Sequence, residues 1–484
     1  MKKTSIFIIY FLLLPVIWGQ NALISELNKL KTDPGLSSAA WGFYAYNLTS
    51  NKVEAEHNKE LNLVPASVMK TITTASALEI LGPEFRFKTR FYINGTVSDE
   101  GILNGDLIIR GGGDPTFGSE TNSGRCPDCL VNEIIDMLKA HGIKLIAGDI
   151  LADDSYFEAM MTPGGWNFSD IGNRYGASPS GLSFMDNTIW FLFNSGREGS
   201  KAEYVGVRPN LPGFQVYSEV IASGIGDNAY VFGAEYSNHR FINGKITPNQ
   251  KEFEVKASMP DPPFAAAYTF YNKLNQAGIY ITGVAINTTQ ARIPINYNSP
   301  QIKLIGTISS PTLFEIAKIT NKTSNNLYAE HLHKAISAQQ TGQGRNKLSN
   351  DIIANYWENR GLNSNQLFIT DGSGLSRSNA ISVYNIVQLF KYMHQSKYSN
   401  HFYESLSIAG VDGTLKSLCT GTRAANNVHA KSGTMSRVKA YAGYVDTRSG
   451  QRIAFAIVAN NYNVSTSAIT KKMENLMVKM AEMP

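Results

Sequence analysis

The sequence predicts a mixed α/β fold in which the two ends of the chain build one domain around a β-rich insertion. Three observations predict it. The length of 484 residues implies roughly two to four domains at ~100–200 residues each. An aromatic strand and a helix bracketed by Pro65 and Gly82-Pro83 lie near the start, and a strand, a hairpin and an amphipathic helix close the chain. Between them the pattern changes to short β segments separated by turn signals. Hydrophobic residues make up 43% and charged residues 17%, which supplies a core and leaves little for a long disordered tail.

The first twenty residues carry Lys2 and Lys3, an apolar run from Ile6 to about Trp18, and Gly19 as a small residue before a cut. That is the layout of a secretory signal peptide. The alternative is an uncleaved anchor, but the run is short for a span of ~20 residues and Pro15 interrupts it. No Cys lies near the cut to carry a lipid, and no later stretch is apolar enough to cross a membrane. The mature protein is therefore expected to be exported, periplasmic and soluble. Lys plus Arg is 44 against 39 Asp plus Glu, and removing Lys2 and Lys3 leaves 42 − 39 = +3. So balanced a charge argues against nucleic acid or an anionic membrane surface as partner.

Along the mature chain, residues 41–46 read as a strand, and a turn at Ser50-Asn51 leads to a second one. A helix of about four turns follows, with Ser67 near its start and Gly82-Pro83 as its stop. Short strands fill the middle, with helices expected near 130–140 and 264–276. Helices dominate from about 312. The chain then gives a strand at 430–435, a hairpin of 438–445 with 452–458, and an amphipathic helix at 466–480, which is expected to pack on the sheet rather than lie on a membrane. Cys126 and Cys129 form a CxxC. In an oxidising compartment this closes a local disulfide, with free thiols as the alternative; no clear helix start follows the first Cys to suggest a redox motif. Cys419 is odd and is expected to pack in a core.

Ser67-Val-Met-Lys70 is an S-x-x-K at a helix start. Residues three apart share a helix face, so the amine reaches the hydroxyl it must deprotonate. The helix N-terminus favours negative charge developing beside Ser67. A second copy, Ser436-Arg-Val-Lys439, falls in strand-like sequence where residues three apart diverge. Ser67 gains weight from its company: Ser324-Asn325-Asn326 is an S-x-N and Lys431-Ser432-Gly433 a K-[ST]-G, the trio of penicillin-recognising acyl-transfer serines. Ser324 and Asn326 suit proton relay and a substrate amide. Lys431 and Ser432 suit a substrate carboxylate, and Gly433 permits close approach. The backbone N–H groups of Ser67 and Thr434 suit an oxyanion hole.

With these motifs the chain resembles the class C low-molecular-mass penicillin-binding proteins, the D-alanyl-D-alanine carboxypeptidase/endopeptidase family. Gly105-Asp-Leu-Ile-Ile-Arg-Gly-Gly-Gly-Asp-Pro115, Asp153-Asp-Ser-Tyr-Phe157, Pro163-Gly-Gly-Trp166, Tyr175-Gly-Ala, Asp371-Gly-Ser-Gly-Leu-Ser-Arg377 and Ala409-Gly-Val-Asp-Gly-Thr-Leu415 resemble its blocks over nearly the whole mature chain. The resemblance implies an α/β (α+β) penicillin-binding/β-lactamase-like transpeptidase domain, an antiparallel sheet flanked by helices, with two inserted β-rich domains. The implied layout is a signal peptide at 1–19, catalytic domain at 20–86 and 300–484, inserted domain II at 87–188 and 263–299, and nested domain III at 189–262. It implies Ser67 as acylated nucleophile, Lys70 as base, and Ser324, Asn326 and Lys431 as catalytic partners, with Ser432 and Gly433 binding substrate. Asp153, Phe157 and Arg377 become candidates for contacting the amine and carboxylate of a diaminopimelate-type stem peptide. Peptidoglycan stem peptides are the implied substrates and β-lactams the implied inhibitors.

Two departures stand out: the third triplet is Lys-Ser-Gly rather than Lys-Thr-Gly, and Pro163-Gly-Gly-Trp166 has one Gly more than the usual Pro-Gly-Trp. Neither metal nor cofactor is expected. Gly111-Gly-Gly-Asp lacks phosphate-loop spacing, His331 and His333 point apart on a helix, and Asp371 has no motif-linked His for a triad. The alternatives are a β-lactamase or penicillin-recognising esterase, opposed by the long insertion, and a non-catalytic peptidoglycan-binding scaffold, opposed by the intact trio.

Overall fold

The computed structural model describes residues 22–120 and 125–484; the expected signal peptide lies outside them. The chain divides into two compact units. One comprises Met1–Pro83, Leu313–Asn325 and Asn350–Pro484; the other comprises Glu84–Thr312 and Asn326–Ser349.

The first unit is built on a six-stranded sheet in the order Ser407–Ile408, Val428–Met435, Val438–Asp446, Arg452–Asn460, Ala40–Asn47, Lys52–His57, antiparallel at every pairing. Ala40 pairs with Asn460 and Asn47 with Ile453, so the sheet cannot form without both ends of the chain. Ala, Val, Ile and aromatic residues fill its central strands, and those of Val438–Asp446 and Arg452–Asn460 are buried on both faces. One face is covered by a helical segment at 22–31 and by the closing helix Thr466–Ala481. Leu23, Leu27 and Leu30 recur at helical spacing and join Ile469, Met473, Leu476 and Phe455 in one core, as an amphipathic stripe on a sheet should. The closing helix thus packs as expected, whereas residues 22–31 form a helix that the sequence reading missed. Cys419 lies in the same core, fully buried. On the other face, Tyr444 of the sheet donates to the Phe390 carbonyl of helix Val383–Gln395 at 2.7 Å.

The second unit holds a seven-stranded sheet whose main path runs Tyr280–Ile281, Leu145–Ile146, Ile102–Arg110, Lys88–Val97, Ile302–Ser309. Helices Pro127–Ala140 and Pro262–Gln276 bury Leu130, Ile134, Phe270 and Leu274 in its core. Two three-stranded sheets follow from the middle of the insertion. The expected boundary at residue 300 falls short, because strand Ile302–Ser309 pairs with Lys88–Val97. Asn298-Ser299-Pro300 looks like a linker but is the turn into that edge strand. Helix Asn326–Thr341 also belongs to the second unit.

The CxxC reading needs one correction. Cys126 is the N-cap of Pro127–Ala140, its sulfur accepting from the Cys129 N–H at 3.3 Å, so a helix does start there. Pro127 at the first helical position and Asp128 in the first turn were its signals. The Cys126–Cys129 disulfide is formed, with Cα atoms 5.2 Å apart. Among the described residues, no helix is long and apolar enough to cross a membrane.

Phe455 sits at zero exposure on a central strand. Phe455→Ala is expected to cost about 3–5 kcal/mol in urea unfolding; a loss under about 1 kcal/mol would contradict this account of the core.

Candidate active site

Ser67 lies on a single 3-10 turn, Ala66–Val68, that runs directly into helix Met69–Leu81. Every residue from Met69 to Leu78 is buried, so this helix is central rather than amphipathic; the hydroxyls of Thr71, Thr74 and Ser76 donate to carbonyls three or four residues earlier, and that of Thr73 to the Gly372 carbonyl. Lys70 projects one turn on, fully buried. Its Nζ donates to Ser67 Oγ at 2.9 Å and to the Ser373 carbonyl at 2.7 Å. The turn is fixed from outside: Asn460, at the end of a central strand, bonds both backbone groups of Val64, at 2.8 and 3.0 Å.

The Gly-rich block from Asp371 forms a loop pressed against that turn. A Cβ on Gly374 would meet the Ala66 carbonyl at 2.0 Å, and Gly374 has φ +81, a conformation only glycine adopts freely. Ala66 itself stands at φ 46, a strained backbone held by its surroundings. Asp371 is a staple rather than a triad acid: its carboxylate accepts from the Gly374 and Ser376 N–H groups and from Asn379. Sequence reasoning assigns a role in this block to Arg377 alone, whereas here the Ser373 carbonyl aims Lys70.

Ser324 follows helix Leu313–Thr323 with φ 58, left-handed without being glycine. Lys431 Nζ donates to Ser324 Oγ at 2.9 Å and to the Ser432 carbonyl at 2.7 Å. Lys431 is fully buried, and burial lowers its pKa well below the ordinary lysine range, with Lys70 and Lys439 adding to the effect. Ser432 donates to the Thr414 hydroxyl at 2.8 Å, which adds Thr414 to the hydroxyls around this strand. Gly433 shows why the triplet ends in glycine: a Cβ there would meet the Pro65 carbonyl at 2.6 Å and Ser67 N at 3.1 Å. The strand therefore lies against the Ser67 backbone. Thr434 is exposed next to it. Beyond Ala430 no strand pairs with its outer edge among the described residues, since Ser407–Ile408 pairs only with Ala430 and His429. An extended peptide can add at such an edge.

Ser67, Lys70, Ser324, Lys431, Ser432 and Gly433 are thus brought together in the first unit. Asn326 opens a helix of the second unit, where its amide donates to the Tyr175 carbonyl at 2.7 Å. The second S-x-x-K is not a pair: Ser436 and Arg437 form the hairpin turn between Met435 and Val438, and Lys439 bonds Thr434 Oγ1 instead, at 2.8 Å.

The three candidates for the stem-peptide side chain fare differently. Arg377 is exposed in the first unit and donates to the Ser436 carbonyl at 3.0 Å. Asp153, in the second unit, is 3% exposed; it accepts from the Tyr297 hydroxyl and the Ser155 N–H and lies 3.7 Å from Arg110 Nε. Phe157 requires a correction. It is 1% exposed, and any Cβ on Gly113 or Gly344 would collide with its ring. Its ring packs tilted against His331, centroids 5.4 Å apart, as a core residue out of a ligand's reach. His331 is equally structural: Nδ1 lies 2.7 Å from the Gly113 carbonyl, Nε2 lies 2.8 Å from Ser183 Oγ, and burial pushes its pKa down to about 3.

Residues 23–483 match the D-Ala-D-Ala carboxypeptidase 3 (S13) family. The chain is 27% identical to a D-alanyl-D-alanine carboxypeptidase of Actinomadura sp. (strain R39), over 95% of this chain and 84% of that one. It is 25% identical to D-alanyl-D-alanine carboxypeptidase DacB of Haemophilus influenzae, over 87% of this chain and 85% of that one. The crystal structure of penicillin binding protein 4 (dacB) from Haemophilus influenzae superposes with a TM-score of 0.80 at 23% identity, covering 95% of this chain and 99% of that one. The same protein complexed with a β-lactam gives 0.72 at 24% identity, covering 91% and 96%. These superpositions establish the penicillin-binding/β-lactamase-like fold.

The depressed Lys431 pKa has a consequence for stability. Between its folded value and the unfolded ~10.4, the unfolded chain binds the extra proton, so stability rises with pH through that window. Lys431→Met removes the rise. Its stability relative to the parent is expected to fall as pH goes from about 7 to about 10 in urea unfolding; a constant difference would contradict the shift.

Proposed function

This chain belongs to the D-Ala-D-Ala carboxypeptidase 3 (S13) family and is a serine-type D-Ala-D-Ala carboxypeptidase; from that premise we propose that it is exported and works through an acyl-enzyme on Ser67. The observation that carries this reading is the Lys70 amine 2.9 Å from Ser67 Oγ, with Lys431 and Ser324 paired beside it. Lys70 takes the hydroxyl proton as Oγ attacks the carbonyl of a D-Ala-D-Xaa bond. The tetrahedral oxyanion forms between the backbone N–H groups of Ser67 and Thr434. Its collapse breaks the C–N bond, and the leaving amine takes a proton relayed through Ser324. Water, deprotonated in turn, then hydrolyses the ester and regenerates Ser67. Asn326 holds the substrate amide.

Lys431 and Ser432 bind the terminal carboxylate. A buried amine that resists charge is poised for this, since the incoming carboxylate supplies the charge that burial withholds. When the leaving group is free D-Ala the reaction is a carboxypeptidase step, and when it is a cross-bridge amine the same chemistry is an endopeptidase step. Arg377 remains a proposed contact of the stem-peptide side chain. A β-lactam, carrying a strained amide beside a carboxylate, acylates the same serine.

Release of D-Ala from a pentapeptide ending in D-Ala-D-Ala tests the reading. Ser67→Ala is expected to lower kcat at least ~10³-fold without unfolding; turnover within about tenfold of the parent would refute Ser67 as nucleophile. Binding of that peptide to S67A, followed by calorimetry in buffers of different ionisation enthalpy, is expected to show net proton uptake. Proton-neutral binding would contradict the role of Lys431.

A further inference from the structure

In the second unit, strands Gln215–Ala222, His239–Ile246 and Asp227–Phe232 form a small sheet. Its inner face buries Val220, Val231, Ile242 and Ile246 completely. By the two-residue period of a strand, Tyr217, Phe241 and Phe232 belong to the opposite face. The register sets Tyr217 opposite Phe241, and Phe241 opposite Phe232, so three rings cross the sheet in one row. Tyr217 and Phe241 lie 5.5 Å apart with their planes only 15° from parallel. Phe168, from the short helix Phe168–Ile171, extends the row at 6.1 Å from Phe232. Tyr217 is 61% and Phe168 62% exposed. The core is already complete on the other face, so fold stability does not explain a row of exposed rings.

The row lines a shallow, open groove of about 990 Å³. Its flanking rungs are polar: Gln215 opposite His239, and Glu219 opposite Asn243. Arg240 also lines the groove, 2% exposed. It donates to the Ser237 and His239 carbonyls at 2.5 and 2.9 Å, which braces the groove wall.

Flat rings beside amides and an imidazole match a pyranose. Its C–H face is apolar, its rim carries hydroxyls, and an acetamido group adds a neutral acceptor. We propose that this groove binds glycan, specifically a chain of N-acetylated hexosamines. The choice of ligand rests on the proposed function, because the stem peptides of peptidoglycan hang from such a chain. An enzyme that holds the polymer raises the effective concentration of its own substrate.

Titration of the full chain with an N-acetylglucosamine tetramer, followed by calorimetry, tests this. Saturable binding is expected for the parent and equally for Ser67→Ala. Tyr217→Ala and Phe241→Ala are expected to weaken it at least ~10-fold, while Tyr217→Phe retains it, since ring faces rather than the hydroxyl make the contact. Unchanged D-Ala release from a soluble pentapeptide and an unchanged thermal midpoint show that the alanine variants are folded. No binding by the parent, or binding indifferent to both alanine substitutions, would overturn the proposal. So would an oligomer of the parent that Tyr217→Ala dissociates, since a second copy would then cover the rings. Failure of D-Ala release with intact tetramer binding would fault the catalytic reading instead.

Discussion

Two lysine side chains, Lys70 and Lys431, are wholly buried in one unit, and the architecture of the site follows from keeping them there. A buried amine must be hydrogen-bonded or its burial is expensive, and a second amine nearby disfavours charge on the first. Lys70 is held by Ser67 Oγ and the Ser373 carbonyl, Lys431 by Ser324 Oγ and the Ser432 carbonyl. Each lysine thus pairs with one serine hydroxyl and one backbone carbonyl. Burial and the neighbouring amine make Lys431 resist protonation, and Lys70 is held within reach of the hydroxyl it must deprotonate.

Holding those pairs demands tight backbone contacts. Gly433 and Gly374 approach the turn carrying Ser67 so closely that a methyl group would collide with Pro65 or Ala66. Ala66 and Ser324, both non-glycine, sit in left-handed conformations. Local strain of this kind persists only when the surroundings over-determine it. Here the sheet does so: Asn460 clamps Val64, and the strand carrying Asn460 pairs along its length with residues from the start of the chain. Catalytic geometry and the long-range closure of the chain are one structural problem.

Much of this was legible in the sequence because it is local. S-x-x-K at a helix start, Lys-Ser-Gly on a strand and the closing hairpin each follow from spacing and turn chemistry over fewer than about twenty residues. What escaped depends on distant partners. Nothing near Phe157 signals that two glycines, Gly113 and Gly344, close around its ring. Strand Ile302–Ser309 adjoins the C-terminal helices in sequence, and only its pairing with Lys88–Val97 assigns it to the other unit. The roles of the Ser373 carbonyl and the Thr414 hydroxyl involve groups found in any sequence, so no residue pattern announces them. The helix after Cys126 is a different case, since its start signals, Pro127 and Asp128, are local.

The central claim is that Ser67 forms a covalent acyl-enzyme, and the most direct measurement is where penicillin attaches to the folded protein. Mass spectrometry of the proteolysed adduct is expected to place one penicilloyl group on the peptide bearing Ser67, and to find none after prior unfolding. Attachment at another residue, or none to the folded parent, would contradict the account.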